Sequence, residues 1–331
     1  FEMATETKNL ADLLKTNGYD SDAGFEFLTS LPKSVKRRVK ALKKLQIEGI
    51  KVESEFYKKV QELEVLFAPK FDELHLKRRA IVTGEHEPTD EEADCPIVHN
   101  LTEEEMKNIE ENSAPEPEEP TKGIPDFWLN LLKGVEHIAE MIQEHDEPIL
   151  KHLVDISVQL GQNPDSFTLT FHFTPNEYFK QTELTKWYKL ELAPDENDPF
   201  DYEGPTVVEA KGSEITWNEG KDVTKRVLKK KQKKGPGAGK LVAKTVKADS
   251  FFNFFDPIVL TEKEKDSGDE DHDEEKEQLL ADFEIGQMIR DQIIPRAVLF
   301  YTGEVTGDDD YLDDFEADED EESAEEHDSH E

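Results

Sequence analysis

Apolar residues recur about every 3.5 residues along one stretch of the chain, between residues 35 and 74. They are Val35, Val39, Leu42, Leu45, Val52, Phe56, Val60, Leu63, Phe67, Phe71 and Leu74. This spacing is typical of a helix with one continuous apolar stripe. We therefore predict a long helix over residues 32–84. At about 1.5 Å per residue such a helix measures roughly 75 Å, more than one small domain covers.

A second copy of the chain would cover this stripe. Residues that repeat at 3.5-residue intervals pack against a partner helix in coiled-coil fashion. We assign dimerisation to residues in the centre of the helix, which are Val52, Phe56, Val60, Leu63 and Phe67. The alternative is that the helix lies across its own domain, and the sequence leaves both arrangements open.

The charge of the chain restricts its partners. Its 78 acidic and 40 basic residues give a formal net charge of −38. Such a charge repels nucleic-acid phosphates and anionic lipid heads, so we expect a basic protein as partner, with no membrane binding and only indirect contact with DNA. No apolar run approaches the roughly 18 residues that span a bilayer. Cys95 is the only cysteine in the sequence, which excludes an internal disulfide.

Composition separates three acidic or polar segments from the rest. Residues 1–31 are polar, and we expect them to be mostly disordered with a short helix. Residues 85–123 form an acidic accessory segment with proline residues and one helical stretch at 102–112. Residues 304–331 form an acidic tail that is too charged to fold alone.

Residues 124–303 are predicted to fold as an α+β domain. Apolar and polar residues alternate with the two-residue period of a strand in three places, and helical patterns precede and follow them. The predicted strands are 167–173, 184–192 and 207–217, and the predicted helices begin at 125, 145 and 276. Strands that follow one another through turns form an antiparallel sheet, here flanked by helices. Residues 223–246 are predicted to form a basic hairpin.

The tail combines carboxylates with spaced aromatic residues. A ring can enter a shallow apolar pocket while neighbouring carboxylates pair with Lys and Arg of a basic partner. We assign this contact to Asp309, Asp310, Tyr311, Asp313, Asp314 and Phe315. Three acids of a turn-rich loop, Asp195, Glu196 and Asp198, are further candidates. The alternative is a solubilising tail whose aromatic residues have no role.

Two segments resemble transport signals. A nuclear localisation signal is predicted in the hairpin at Lys229, Lys230, Lys231, Lys233 and Lys234. An edge-protecting hairpin or a local DNA-contacting patch would produce the same lysine run. Leucine-type spacing of a nuclear export signal is found at Leu31, Val35, Val39 and Leu42, although these residues fit the first turns of the long helix better. Together the two signals predict a protein that shuttles between nucleus and cytoplasm.

Motifs for catalysis are missing from the sequence. It contains no HExxH, CxxC, GxSxG or GxGxxG pattern, so it offers no framework for zinc, a reactive thiol, a nucleophilic serine or a dinucleotide. We predict that the protein is not an enzyme and needs neither metal nor cofactor.

Four sequence blocks resemble the nucleosome assembly protein family. They are Leu31-Pro32 ahead of the long helix, IPDFW at 124–128, DSFFNFF at 249–255 and IPRAVLFYTGE at 294–304, before the acidic tail. The resemblance implies a homodimer joined by the long helices, with an earmuff-type domain whose acidic underside contacts histones. It also implies an import signal in the lysine-rich hairpin and an export signal near the start of the long helix.

The function that follows from the resemblance is that of a histone chaperone that works without ATP. Its partners would be core histones, chiefly the dimer of histones 2A and 2B and also histones 3 and 4, together with nuclear transport receptors. An acidic signalling scaffold or phosphatase inhibitor of the same fold is the alternative.

Overall fold

One helix, α1, runs without interruption from Lys33 to Val82 and includes Pro69. It is the longest element of the computed structural model, which describes residues 27–99, 101–115, 120–231, 241–256 and 270–305. The predicted long helix is therefore confirmed. Its stripe remains uncovered within the described chain, because Val52, Phe56 and Leu63 are 66%, 60% and 54% exposed.

Short helices and two groups of strands follow α1. The further helices are α2 (Glu103–Glu111), α3 (Phe127–Lys133), α4 (Glu136–Ala139), α5 (Glu147–Leu150), α6 (Glu270–Met288) and α7 (Ala297–Thr302). The strands are β1 (Leu153–Gly161), β2 (Ser166–Phe173), β3 (Glu183–Glu191), β4 (Thr206–Gly212), β5 (Lys225–Lys231) and β6 (Leu241–Lys247). A π-helical turn, Ile289–Ile293, extends α6. The order confirms the predicted α+β class.

The chain divides into two compact units. Within the described residues, the first unit contains residues 27–62 and 191–206, and the second contains residues 63–190 and 207–305. In the first unit a loop is attached to α1, since Ser54 Oγ and the Tyr202 hydroxyl both donate to the carbonyl oxygen of Leu192, at 2.8 and 3.0 Å.

The sheet of the second unit has the strand order β1-β2-β3-β4, with antiparallel pairing of β1 with β2 and of β2 with β3. Every second residue of β2 from Phe167 to Phe173 is buried, as the alternation in the sequence predicts. The inward side of β3 carries Leu184, Lys186, Tyr188 and Leu190. These buried side chains form the core together with the helices that follow, as in the packing of Tyr188 against Phe283 of α6.

A phenylalanine-rich 3₁₀ helix, Phe251–Phe255, fills much of that core. Its rings pack edge-to-face against β2, with Phe171 and Phe255 centroids 5.2 Å apart. The buried carboxylate of Asp146 fixes this turn: it accepts hydrogen bonds from Ser250 Oγ at 2.7 Å and from the backbone N–H of Phe251 at 2.7 Å. Asp146 thus satisfies donors that the start of the turn would otherwise leave unpaired.

Two predicted elements differ from the structure. The segment predicted as helical from residue 145 forms only the single turn of α5 and then becomes strand β1. The register of β1 shifts between Leu153 and Asp155, and such a bulge removes the two-residue alternation by which a strand is recognised. Strand β4 ends at Gly212, short of the predicted end at residue 217, although Trp217 still forms an isolated bridge with Phe179.

Two glycines that lie close together bound the accessory segment, which is part of the second unit. Gly84 and Gly123 have φ of +67° and +61°, and a side chain on either would overlap the backbone of the other. The backbone N–H of Ile124 donates to the carbonyl oxygen of Val82 across this crossing, at 2.9 Å. Within the segment α2 confirms the predicted helical stretch.

Candidate functional site

The exposed apolar stripe of α1 is the first candidate surface. It is defined here by Leu42, Leu45, Val52, Phe56, Leu63, Phe67, Phe71 and Leu74, which are between 40% and 66% exposed. Contiguous apolar surface of this extent marks an interaction site on a soluble protein. Because the residues recur at about 3.5-residue intervals, the surface suits a second helix.

An apolar groove in the second unit adjoins the end of this stripe. Its volume is about 570 Å³. Phe71 and Leu74 of α1 form one wall, Val158 and Leu160 of β1 another, and residues 294–299 the third. Residues 294–299 belong to the sequence block 294–304, so apolar residues of that block line this groove.

A buried ion pair lies beside the groove. Arg78 is 3.7 Å from Asp155 and packs over the ring of Trp128 at 5.2 Å, while its Nη1 donates to the carbonyl oxygen of Ile294. Burial raises the pKa of Asp155 to about 6, and the nearby Arg78 opposes the rise without cancelling it. Burial likewise lowers the pKa of Arg78. The pair joins α1 to β1 and to the segment before α7.

A second buried pair fastens helix α6 to the sheet. Lys186 is fully buried, and its Nζ donates to the Phe254 carbonyl oxygen at 2.7 Å and to Asp282 at 2.8 Å. The Tyr188 hydroxyl donates to the main-chain oxygen of Asp282 at 2.9 Å. Burial lowers the pKa of Lys186 and raises that of Asp282, and their mutual attraction counteracts both shifts. The acid-rich helix α6 is therefore held by groups that solvent does not reach.

The acidic loop of the first unit presents its carboxylates to solvent. Asp195, Glu196 and Asp198 are exposed, and Asp195 accepts a hydrogen bond from the backbone N–H of Asn197 at 2.8 Å. In the same loop the ring of Phe200 is 43% exposed and has Lys43 Nζ 4.7 Å from its centroid. These acids can pair with cations of a partner, as the sequence suggested for them.

Neither a metal site nor a membrane span is found where the structure can be described. In residues 27–99, 101–115, 120–231, 241–256 and 270–305, no three His, Cys, Asp or Glu side chains are grouped so that they could hold a metal ion. Of the helices in the same ranges, none has both the length and the apolar character needed to cross a bilayer.

The sequence model of one protein family, described as nucleosome assembly protein (NAP), matches residues 37–304. The chain belongs to the nucleosome assembly protein family. The match contains α1 from residue 37 onward, the accessory segment, the sheet and α7, so residues of both units belong to the family's sequence pattern. The resemblance found in the four sequence blocks is thereby confirmed.

Two nucleosome assembly proteins of similar sequence agree with this assignment. Nucleosome assembly protein 1-like 4 of Bos taurus is 47% identical over 299 residues, covering 86% of this chain and 75% of that protein. Nucleosome assembly protein 1-like 1-A of Xenopus laevis is 47% identical over 290 residues, covering 86% and 73%. Among solved structures, Nucleosome Assembly Protein 1 from Plasmodium knowlesi has 25% identity and a TM-score of 0.49, covering 83% of this chain and all of that one.

The structure describes some of the predicted site residues of this family member. The dimerisation residues lie on α1, where Val60 is half-buried and the other four are exposed. Of the proposed export signal, Leu42 is 64% exposed, whereas Leu31, Val35 and Val39 are half-buried. Lys229, Lys230 and Lys231 lie in β5, which pairs with β6 as the predicted hairpin requires. Lys233, Lys234 and the tail residues Asp309, Asp310, Tyr311, Asp313, Asp314 and Phe315 lie outside the described residues.

Two buried cations were not predicted from the sequence. Lys186 had a detectable signal, since it occupies an inward position of the alternation between Leu184 and Tyr188, where a charged residue requires a buried partner. Arg78 had no such signal in the sequence, because it is one of several cations near the end of α1. Its partner Asp155 lies in β1, the strand that was not predicted.

Proposed function

We propose that this chain is a histone chaperone that acts without ATP, binds the dimer of histones 2A and 2B and also histones 3 and 4, and promotes nucleosome assembly. Membership of the nucleosome assembly protein family over residues 37–304 is the observation that carries this proposal. The net charge of −38 supports it, because a strongly basic client needs a partner with excess carboxylate. No cofactor is needed and the protein is not an enzyme.

The mechanism is a competition between carboxylates and DNA phosphates. Histone cations that would bind DNA non-specifically are neutralised by exposed acids of the chaperone. Each exposed ion pair contributes only about 0 to 1 kcal/mol and is screened by salt, so affinity comes from many such pairs together with a few apolar anchors. The denser phosphate array of DNA then takes the histone from the chaperone. The protein contacts DNA only through its client.

The proposed contacts are the tail residues Asp309 to Phe315 and the loop acids Asp195, Glu196 and Asp198. The tail supplies the aromatic anchors Tyr311 and Phe315, and the loop supports the proposal because its acids are exposed on a segment attached to α1. A homodimer formed through the stripe doubles the number of such sites. Nuclear transport receptors would recognise the lysine run and move the protein between cytoplasm and nucleus.

Sedimentation velocity with purified histone 2A–2B dimer tests the function. At 50 mM salt we expect a stoichiometric complex without nucleotide, and at 1 M salt its dissociation. Failure to bind at low salt would contradict the proposal and favour a signalling scaffold of the same fold.

Replacement of the two tail rings tests the anchor residues. Tyr311→Ala with Phe315→Ala should weaken histone binding about tenfold, because buried rings carry a large share of such an interface. Glu325→Gln with Glu326→Gln, in the same tail, is the matched control and should have a much smaller effect. Equal losses in the two variants would remove the rings from the site.

A further inference from the structure

The apolar groove described above belongs entirely to the second unit and exposes several large side chains. Phe71 and Leu74 of α1 are 56% and 59% exposed, and Val298 of α7 is 52% exposed. Val158 and Leu160 of β1 are half-buried in its lining. Its volume of about 570 Å³ lies within the roughly 300–1,000 Å³ of pockets that enclose a drug-sized ligand, so it has room for more than one side chain. Exposed apolar surface of this kind marks an interaction site.

A π-helical turn places two charged residues at the groove. In this turn the backbone N–H of Ile294 donates to the carbonyl oxygen of Ile289, five residues earlier, at 3.0 Å. Ile289 and Ile293 are fully buried, whereas Arg290 and Asp291 line the groove. A single π-helical turn at the end of an α-helix is frequently found at functional sites. The irregular backbone therefore points to the same surface as the exposed side chains do.

The cations of the groove are withdrawn from solvent. The side chains of Arg78 and Arg290 are only 13% and 15% exposed, and Arg296 is half-buried. His75 also lines the groove, and burial together with the nearby Arg78 lowers its pKa. His75 is therefore mostly uncharged at neutral pH and adds no cation to the surface.

The acids of the groove are the charges that a partner can reach. The side chains of Glu64 and Asp291 are 39% and 42% exposed, and Asp72 is exposed on α1. Arg290 lies between two of these acids, because its Nη2 donates to Glu64 and its Nε is 3.2 Å from Asp291. One cation thus faces two carboxylates. The accessible charge beside the apolar walls is negative, which favours a cationic partner and disfavours phosphates and acidic peptides.

We propose that this groove binds a basic segment of another protein by receiving one or two of its apolar or aromatic side chains, while flanking Lys or Arg residues pair with Glu64, Asp72 and Asp291. Exposed ion pairs contribute little individually, so the buried side chain selects segments that carry an apolar residue among their cations. A second copy of this chain is the competing occupant, because Phe71 and Leu74 also belong to the stripe. Its net charge of −38 makes it less complementary to the acids of the groove.

The groove gives the proposed chaperone an apolar anchor site within its folded part. A histone segment with an apolar residue between cations would bind there more tightly than a purely cationic segment of equal charge. Assignment of the groove to histones rests on the proposed function, whereas its preference for basic segments with an apolar residue does not.

Two dye-labelled peptides test this preference without any histone. One has Leu-Phe between two blocks of three Lys or Arg, and the other has Ser-Ser in the same place, so their charges are equal. Fluorescence anisotropy with the whole chain at 150 mM salt should show roughly tenfold or tighter binding of the Leu-Phe peptide, because burial of apolar side chains adds to the same ion pairs. Equal affinities of the two peptides would overturn the proposal.

Val298→Lys tests whether the groove is responsible. The substitution removes apolar surface and adds a cation, so it should weaken binding of the Leu-Phe peptide about tenfold and abolish its advantage over the Ser-Ser peptide. Val227→Lys is the matched control, since Val227 is 59% exposed on β5, lies outside the groove and changes the charge equally. Lys favours helix more than Val does, so α7 should stay intact, and circular dichroism checks this. Equal effects of the two substitutions would contradict the proposal.

Two further measurements with these variants identify other occupants. If Val298→Lys weakens self-association in sedimentation equilibrium but leaves the peptide preference unchanged, the groove belongs to a contact between copies and the proposal is wrong. With histone 2A–2B dimer, Val298→Lys should weaken binding several-fold more than Val227→Lys does, and equal effects would exclude histones from the groove. A peptide preference that depends on Val298, without any binding of the histone dimer, would retain the groove and contradict the proposed function.

Photo-cross-linking to the unsubstituted protein provides a measurement that no folding defect can affect. The Phe of the Leu-Phe peptide is replaced by benzoylphenylalanine, and the adducts are located by mass spectrometry. We expect adducts at residues 158–160 and 294–299 to be several-fold more abundant than adducts at Leu42, Val52 or Phe56 of the stripe. An even distribution between the groove and the stripe would contradict a specific site.

Discussion

Removal of one ring from the stripe should weaken the proposed homodimer without unfolding the chain. Phe56 is 60% exposed in the described structure, and full burial of such a side chain contributes roughly 1.5 to 3 kcal/mol. Burial of the exposed part in a partner helix therefore contributes about 1 to 2 kcal/mol per ring. A symmetric dimer contains the ring twice, so Phe56→Ala should cost about 2 to 4 kcal/mol, or a roughly 30-fold to several-hundred-fold weaker dimer.

Sedimentation equilibrium over a range of concentrations measures this change. Leu76→Ala is the matched control, since Leu76 is 62% exposed on the same helix but lies on the side opposite to Phe56. We expect its dimer dissociation constant to change by less than about twofold. If Phe56→Ala and Leu76→Ala weaken the dimer equally, or if neither does, the stripe is not the dimer interface and the reasoning from its periodicity is refuted.

Two predictions concern the buried ion pairs. Lys186→Met should lower the free energy of unfolding by about 3 to 5 kcal/mol, because Asp282 is left buried and unpaired. Adding Asp282→Leu to this variant should restore most of the lost stability. Denaturant titration of the single and double variants measures both effects, and additive losses would exclude a coupled pair. For Asp155 the folded pKa of about 6 exceeds the ordinary carboxyl pKa of 3.8, so its contribution to stability is fully present below pH 3.8 and is lost as pH rises through 6. Stability of the unsubstituted protein relative to Asp155→Asn should accordingly fall by about 1.4 kcal/mol between pH 5 and pH 7.5, and a relative rise would mean that Arg78 dominates over burial.

The sequence predicted best those elements whose signal is local and repeated. The 3.5-residue repeat of α1 and the alternation of Phe167 to Phe173 each extend over many residues, so no tertiary contact was needed to recognise them. Strand β1 was missed because its bulge at Leu153 and Asp155 breaks the alternation. Four further blocks gave the family, which periodicity alone would not have done.

The candidate site was predictable only in part, for a physical reason. Exposure of a carboxylate such as Asp195 follows from its turn-rich, acidic surroundings, so the sequence indicated it. The position of a groove depends on which distant segments meet, and the contact of residues 294–299 with Val158 and Phe71 joins three parts of the chain. A tertiary contact between distant segments has no local sequence pattern, so residue spacing and charge could not predict it.

The distribution of charge in the structure explains how a chain of net charge −38 can fold and still offer a basic partner many weak contacts. Lys186 is buried with Asp282 and Arg78 with Asp155, so burial of these pairs removes equal numbers of cations and anions from the surface. The excess of acid is therefore left at exposed positions and in segments outside the described residues. Exposed acids contribute little individually, and loss of any one should hardly change histone binding. Loss of one partner of a buried pair should instead destabilise the fold that presents them. A chaperone that must yield its client to DNA gains from this arrangement, because stability and client affinity then depend on different charges.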